Sequence, residues 1–65
     1  MNDEMIIIKN LVYLYFLRHP NMTGRRIFVI WDRAKIFKEY ERPEENLLVD
    51  WVSEFMQEVK AYAEA

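Results

Sequence analysis

The run Ile27-Phe28-Val29-Ile30-Trp31 constrains this chain more than any other stretch, because five consecutive residues are β-branched or aromatic, with Gly24-Arg25-Arg26 before them and Asp32 after. In a strand, Ile27, Val29 and Trp31 point to one face and Phe28 and Ile30 to the other, so both faces want cover. The expectation is a central strand over Arg25 to Asp32.

The flanking segments supply candidates for that cover. Met1 to Glu4 are expected to fray, and Met5-Ile6-Ile7-Ile8 reads as a short second strand. Asn10 suits the N-cap of a helix from Leu11 to about Arg18, stopped by Pro20, which disfavours helical geometry at His19. The same segment is rich in strand formers, with Tyr13 and Tyr15 alternating with Leu14 and Phe16, so a strand remains its alternative. Pro20 to Gly24, with the chain's only glycine, reads as a turn leading into the central strand. Asp32 is placed to cap a second helix from Arg33 to about Glu41, burying Ile36, Phe37 and Tyr40.

The strongest helical pattern is the last. Pro43 suits its first turn, Glu44 and Glu45 sit where the positive helix end favours acids, and Leu48, Val52, Phe55, Val59 and Tyr62 recur at steps of four and three to about Ala63. Leu47, Trp51 and Phe55 form a flanking stripe. So wide an apolar arc can meet its own chain on one side and a partner on the other, which makes Trp51, Val52, Phe55, Val59 and Tyr62 the candidate interface. The expected fold is α+β: one or two short strands packed by three helices, the C-terminal one long, in a single domain over residues 1–65.

This order of elements resembles one of the domain-of-unknown-function families of short α/β proteins from bacteria and phages. The resemblance is carried by the helix in Asn10 to His19, by Gly24-Arg25-Arg26 before the apolar run ending in Asp32, and by a last helix ending in Glu58-Val59-Lys60-Ala61-Tyr62. It implies a fold and no activity.

At 65 residues a chain buries only about 60% of the surface it exposes unfolded. There is no cysteine, so disulfides and thiolate metal sites are excluded and a reducing, cytoplasmic setting is expected. Self-association, most simply a homodimer, is the remaining source of stability, and a hydrophobic fraction of 52% supports it. The apolar segment from Ile6 to Leu17 is too short to span a bilayer, and the acids Asp3 and Glu4 before it do not fit a signal peptide.

The net charge of −2 conceals a polarised chain. Residues 18 to 38 set Arg18, Arg25, Arg26, Arg33, Lys35 and Lys38 against Asp32, a net of +5. Residues 39 to 65 set Arg42 and Lys60 against eight acids, a net of −6. The six cations are candidate contacts either for nucleic-acid phosphates or for the acidic last helix, in the same chain or a neighbour. The pI of about 5.3 favours the second.

Nothing in the sequence builds a reaction. His19 is the only histidine, with Ser53 and Thr23 the only hydroxyl nucleophiles to set beside it, and it reads as a helix-terminal residue favoured by the negative dipole end. One histidine without cysteine cannot furnish a zinc site, and Glu39, Glu41, Glu44 and Glu45 lack the spacing of a calcium loop. Trp31 and Trp51 fit core or interface better than a ligand platform. The expected protein is a non-enzymatic binding protein without cofactor, acting through a protein surface, with an inhibitor or accessory factor of a phage or mobile element as the specific form. The alternative is a nucleic-acid-binding regulator using residues 18 to 38.

Overall fold

The computed structural model describes residues 3–64, and these form three helices: α1 (Asp3–Arg18), α2 (Gly24–Ala34) and α3 (Glu45–Glu64). No strand is present among the described residues, which overturns the expected α+β class and the α/β fold implied by the family resemblance. The helices α1 and α2 each pack on α3, which is the organising element in place of a central strand.

The segment expected to be that strand is α2. Its apolar residues admit a helical reading: Gly24, Ile27, Phe28 and Trp31 fall at i, i+3, i+4 and i+7, one face of a helix, and Gly24, Ile27 and Trp31 are buried. Thr23 starts the helix from an extended conformation, its side chain accepting a hydrogen bond from the Arg26 N–H at 3.1 Å. Val29, which a two-faced strand would have buried, is 49% exposed. A strand also needs a partner, and the expected one, Met5 to Ile8, lies within α1.

There Ile8 begins the row Ile8, Val12 and Phe16, spaced by four and buried. Asp3 and Glu4 occupy the first turn of α1 and Arg18 the last, each complementing the helix dipole. Asn10 is therefore an interior residue rather than a cap, and the helical reading of residues 11 to 18 holds over its strand alternative. Pro20 stops the helix as expected: the His19 N–H is shared between the carbonyls of Tyr15 at 3.0 Å and Phe16 at 3.1 Å, and the chain turns through Met22. Of the four N-terminal residues expected to fray, Asp3 and Glu4 are helical, while Met1 and Asn2 lie outside the described residues.

The separate helix expected over Arg33 to Glu41 does not form; Arg33 and Ala34 are instead the last residues of α2. Lys35 adopts the left-handed conformation (φ 50°, ψ 46°) and ends α2, and turns follow to residue 39. Asp32 is in the last turn of α2, where its carboxylate pairs with Arg42 at 3.1 Å. The same guanidinium donates to the Phe28 carbonyl at 3.1 Å and lies 3.9 Å from the centre of the Phe28 ring. A second tie, from Trp31 Nε1 to the Tyr40 carbonyl at 3.3 Å, also holds this connection to α2. Ile36, Phe37 and Tyr40 are half-buried, so this segment covers the core without being helical.

The helix α3 begins two residues after Pro43 and runs close to its expected limits. Leu48, Trp51 and Val52 are buried, and with Ile8, Val12, Phe16, Ile27 and Trp31 they make up the core. Phe37 lies edge-on to both Tyr15 (5.8 Å) and Trp31 (4.8 Å), joining α1 to α2 through the connecting segment. Phe55 stacks on Tyr13 at 4.4 Å and meets Phe16 edge-on at 5.8 Å, joining α1 to α3.

Candidate functional site

Two sets of residues stood out in the sequence, and the fold treats them differently. Of the apolar set, Trp51 and Val52 are core residues, 7% and 6% exposed, and Phe55 is half-buried between Tyr13 and Phe16. The first two are spent on the chain's own interior. Only Val59 and Tyr62 face outward, on the part of α3 from Met56 to Glu64 where every residue is exposed.

The basic set divides by position. Helical geometry sends Arg25, Arg26, Val29, Ile30 and Arg33 to the side of α2 away from Ile27 and Trp31. With Thr23 they line a shallow depression of about 370 Å³. Arg26 is shared with a second depression of about 360 Å³, lined by residues of the 18–22 corner that include Arg18 and His19. Arg18, Arg25, Arg26 and Arg33 thus occupy adjoining surface formed by the end of α1, the turn and the outer side of α2. Lys35 and Lys38 lie elsewhere, beside a hollow of about 320 Å³ that also contacts Trp31, Asp32 and Tyr40.

None of the four arginines forms an ion pair among the described residues. Of the acids of the last helix expected to oppose them, Glu54 forms an ion pair instead with Lys9 at 3.7 Å. Lys9 is held above its ordinary pKa, chiefly by its contact with Tyr13 and secondarily by Glu54. Among the described residues of one chain, therefore, the basic segment does not pair with the acidic helix. Its charge stands open to solvent in the form that an anionic ligand meets.

Sequence reading missed Val29 and Ile30 as members of this surface. They provide apolar contact between guanidinium groups, and the signal for them was the helical spacing of Arg25, Val29 and Arg33, each four residues after the last.

Two of the side chains weighed for chemistry in the sequence are engaged locally. The His19 ring lies against Tyr15, 4.5 Å between centres, and the Thr23 oxygen is occupied in capping α2. Among the described residues no three acids or histidines gather where a metal ion could be held, and no helix is long and apolar enough to cross a membrane. Compared with protein-family models, curated proteins and solved structures, the chain matches none.

Proposed function

We propose that the protein is a non-enzymatic, self-associating binding protein that grips a nucleic-acid backbone with the outer side of α2. The observation that carries this reading is the joint exposure of Arg18, Arg25, Arg26 and Arg33 on adjoining surface without an acidic partner. Guanidinium groups match phosphate oxygens in a planar, two-pronged fashion, and they are more weakly hydrated than ammonium groups, so contact costs less desolvation. The 11 residues of α2 extend about 16 Å at 1.5 Å per residue, and a helix fits the roughly 12 Å width of a DNA major groove. The acidic α3 repels phosphate and so restricts contact to one side of the molecule. A cytoplasmic setting suits a chain without cysteine.

The protein-partner reading rested on the wide apolar arc of α3 and, in part, on pairing between the basic segment and the acidic helix in the same chain or a neighbour. With that pairing absent inside the chain, an anionic ligand has the stronger claim on the arginines. The test is fluorescence anisotropy with a labelled DNA duplex at two or more salt concentrations. Affinity is expected to fall with log[salt] by about 0.9 per phosphate contact, and replacing Arg25 and Arg26 by Ala is expected to flatten the slope by about two contacts. Absence of binding at low salt, or a slope unchanged in the double variant, overturns the reading.

A further inference from the structure

Among the described residues two apolar features stand open at the surface, and they complement each other. The first is a trough on the outer side of α1. Leu11, Leu14 and Tyr15 line it together with Ile36 and Phe37, enclosing about 310 Å³ with Arg18 at the rim. It continues past Leu11, Ile36 and Phe37 into a further hollow of about 240 Å³ bordered by Lys38, Glu39 and Tyr40. The combined feature has an apolar floor and carries Arg18 and Lys38 against the single acid Glu39.

The second is the end of α3. From Met56 to Glu64 every residue is exposed, with Met56 at 54%, Val59 at 47% and Tyr62 at 87%. These three apolar residues follow one another at intervals of three, with Glu58 and Glu64 set against Lys60 beside them. These nine residues extend α3 beyond its buried turns, so this end of the helix has little of the apolar burial that stabilises helices in proteins, and a cover over it would add that burial.

We propose that the end of α3 from one copy docks in the α1 trough of a second copy, and reciprocally, to form a two-fold dimer. The proposal rests on the reading of the protein as self-associating and names the two surfaces. A chain cannot fill its own trough with this segment. The helix is continuous, and its earlier turns are engaged with the opposite, buried side of α1 through Phe55, Tyr13 and Phe16. A second copy brings an apolar, net acidic helix to an apolar, net basic trough, so apolar character and charge agree. Lys38, Glu58 and Glu64 are unpaired among the described residues and free to supply the rim contacts. Two-fold symmetry repeats the contact, which helps so small a chain approach the roughly 800 Å² per partner typical of a stable interface.

Sedimentation equilibrium tests this. The parent is expected to pass from the 8.0 kDa chain mass to twice that value as concentration rises. The tail variant Val59→Lys/Tyr62→Lys and the trough variant Leu14→Glu are each expected to remain at the chain mass with helical circular dichroism unchanged, because all three side chains are about half exposed or more. An equimolar mixture of the two variants is expected to associate, since it restores one intact tail and one intact trough to the same pair.

A parent that stays at the chain mass removes the self-associating reading itself. A parent dimer that survives either variant leaves self-association standing and overturns the proposed surfaces. So does a mixture that fails to associate when each variant alone is folded and monomeric.

Discussion

Gly24 and Val49 mark a close approach between α2 and α3: a Cβ atom built on Gly24 would lie 2.5 Å from the Val49 Cα and 2.7 Å from both the Leu48 carbonyl oxygen and the Val49 nitrogen. The obstruction is backbone, which cannot swing aside. The chain's only glycine is thus retained for helix contact, and it has no positive φ to require it as a turn residue. Gly24→Ala is expected to destabilise the fold by about 1–3 kcal/mol through overpacking, more than the benefit of up to about 1 kcal/mol that Ala offers over Gly in a helix. Urea denaturation checks this, and a variant as stable as the parent would show that the two helices separate freely.

Lys35 presents the reverse situation. It holds a left-handed conformation (φ 50°) at the end of α2 with an exposed side chain, a position glycine occupies without steric penalty. Lys35→Gly is expected to raise stability by about 0.5–1 kcal/mol, less than the full left-handed penalty because glycine also loosens the unfolded chain. A lower thermal midpoint for this variant would contradict the assignment of strain to that residue.

The difference between expected and observed fold lies largely in this same segment. In Ile27 to Trp31 a β preference, worth up to about 1 kcal/mol per residue, competed with a helical spacing of Gly24, Ile27, Phe28 and Trp31. Burial against α3 decided for the spacing. Gly24 contributed to the misreading because a glycine before an apolar run signals a turn, whereas here it signals close packing. The helix α3 was legible because Leu48, Val52 and Phe55 repeat over several turns, and Pro20 was legible as a stop because its steric effect is local.

For the site, charge alone identified Arg18, Arg25, Arg26 and Arg33. The strand reading would have placed Arg25 and Arg26 on opposite faces; a helix turns both, with Arg33, away from the core. What covers the apolar arc of α3 depends on three-dimensional packing, and so Trp51 and Val52 could not be separated from Val59 and Tyr62 by periodicity.

Arg42 is expected to matter more than its surface salt bridge suggests. It combines the Asp32 carboxylate, the Phe28 carbonyl and the Phe28 ring, of which the ion pair is the weakest part because Asp32 is 66% exposed. Arg42→Ala is expected to cost about 1–2 kcal/mol, from the lost hydrogen bond and cation–π contact, and Asp32→Asn about 0–1 kcal/mol. Equal losses in thermal melts of the two variants would assign the whole effect to the ion pair.

Lys9 gives a pH signature. Its pKa is raised above the ordinary 10.5, so its favourable contribution is fully present below the unfolded-state pKa and is lost as pH rises through the folded value. The stability difference between the parent and Lys9→Met is therefore expected to be constant near neutrality and to shrink only in strongly alkaline solution. A difference that already changes near neutrality would place the controlling group elsewhere.

The order in which the helices open follows from how each is attached. The crossing of α2 and α3 is close, fixed at Gly24, and reinforced through Trp31 and Arg42 by the connecting segment. The attachment of α1 to α3 depends on the row Ile8, Val12 and Phe16 together with Phe55, which stacks on Tyr13 at 4.4 Å and meets Phe16 at 5.8 Å. Truncating Phe55 to Ala removes both aromatic contacts, at about 0.5–1.5 kcal/mol each beyond the buried area. Native-state hydrogen exchange is expected to show that α1 amides in the parent open at lower free energy than those of α2, and that Phe55→Ala lowers protection in α1 by more than in α2. If both helices lose protection equally, the chain unfolds as one unit and Phe55 supports the whole core rather than the docking of α1.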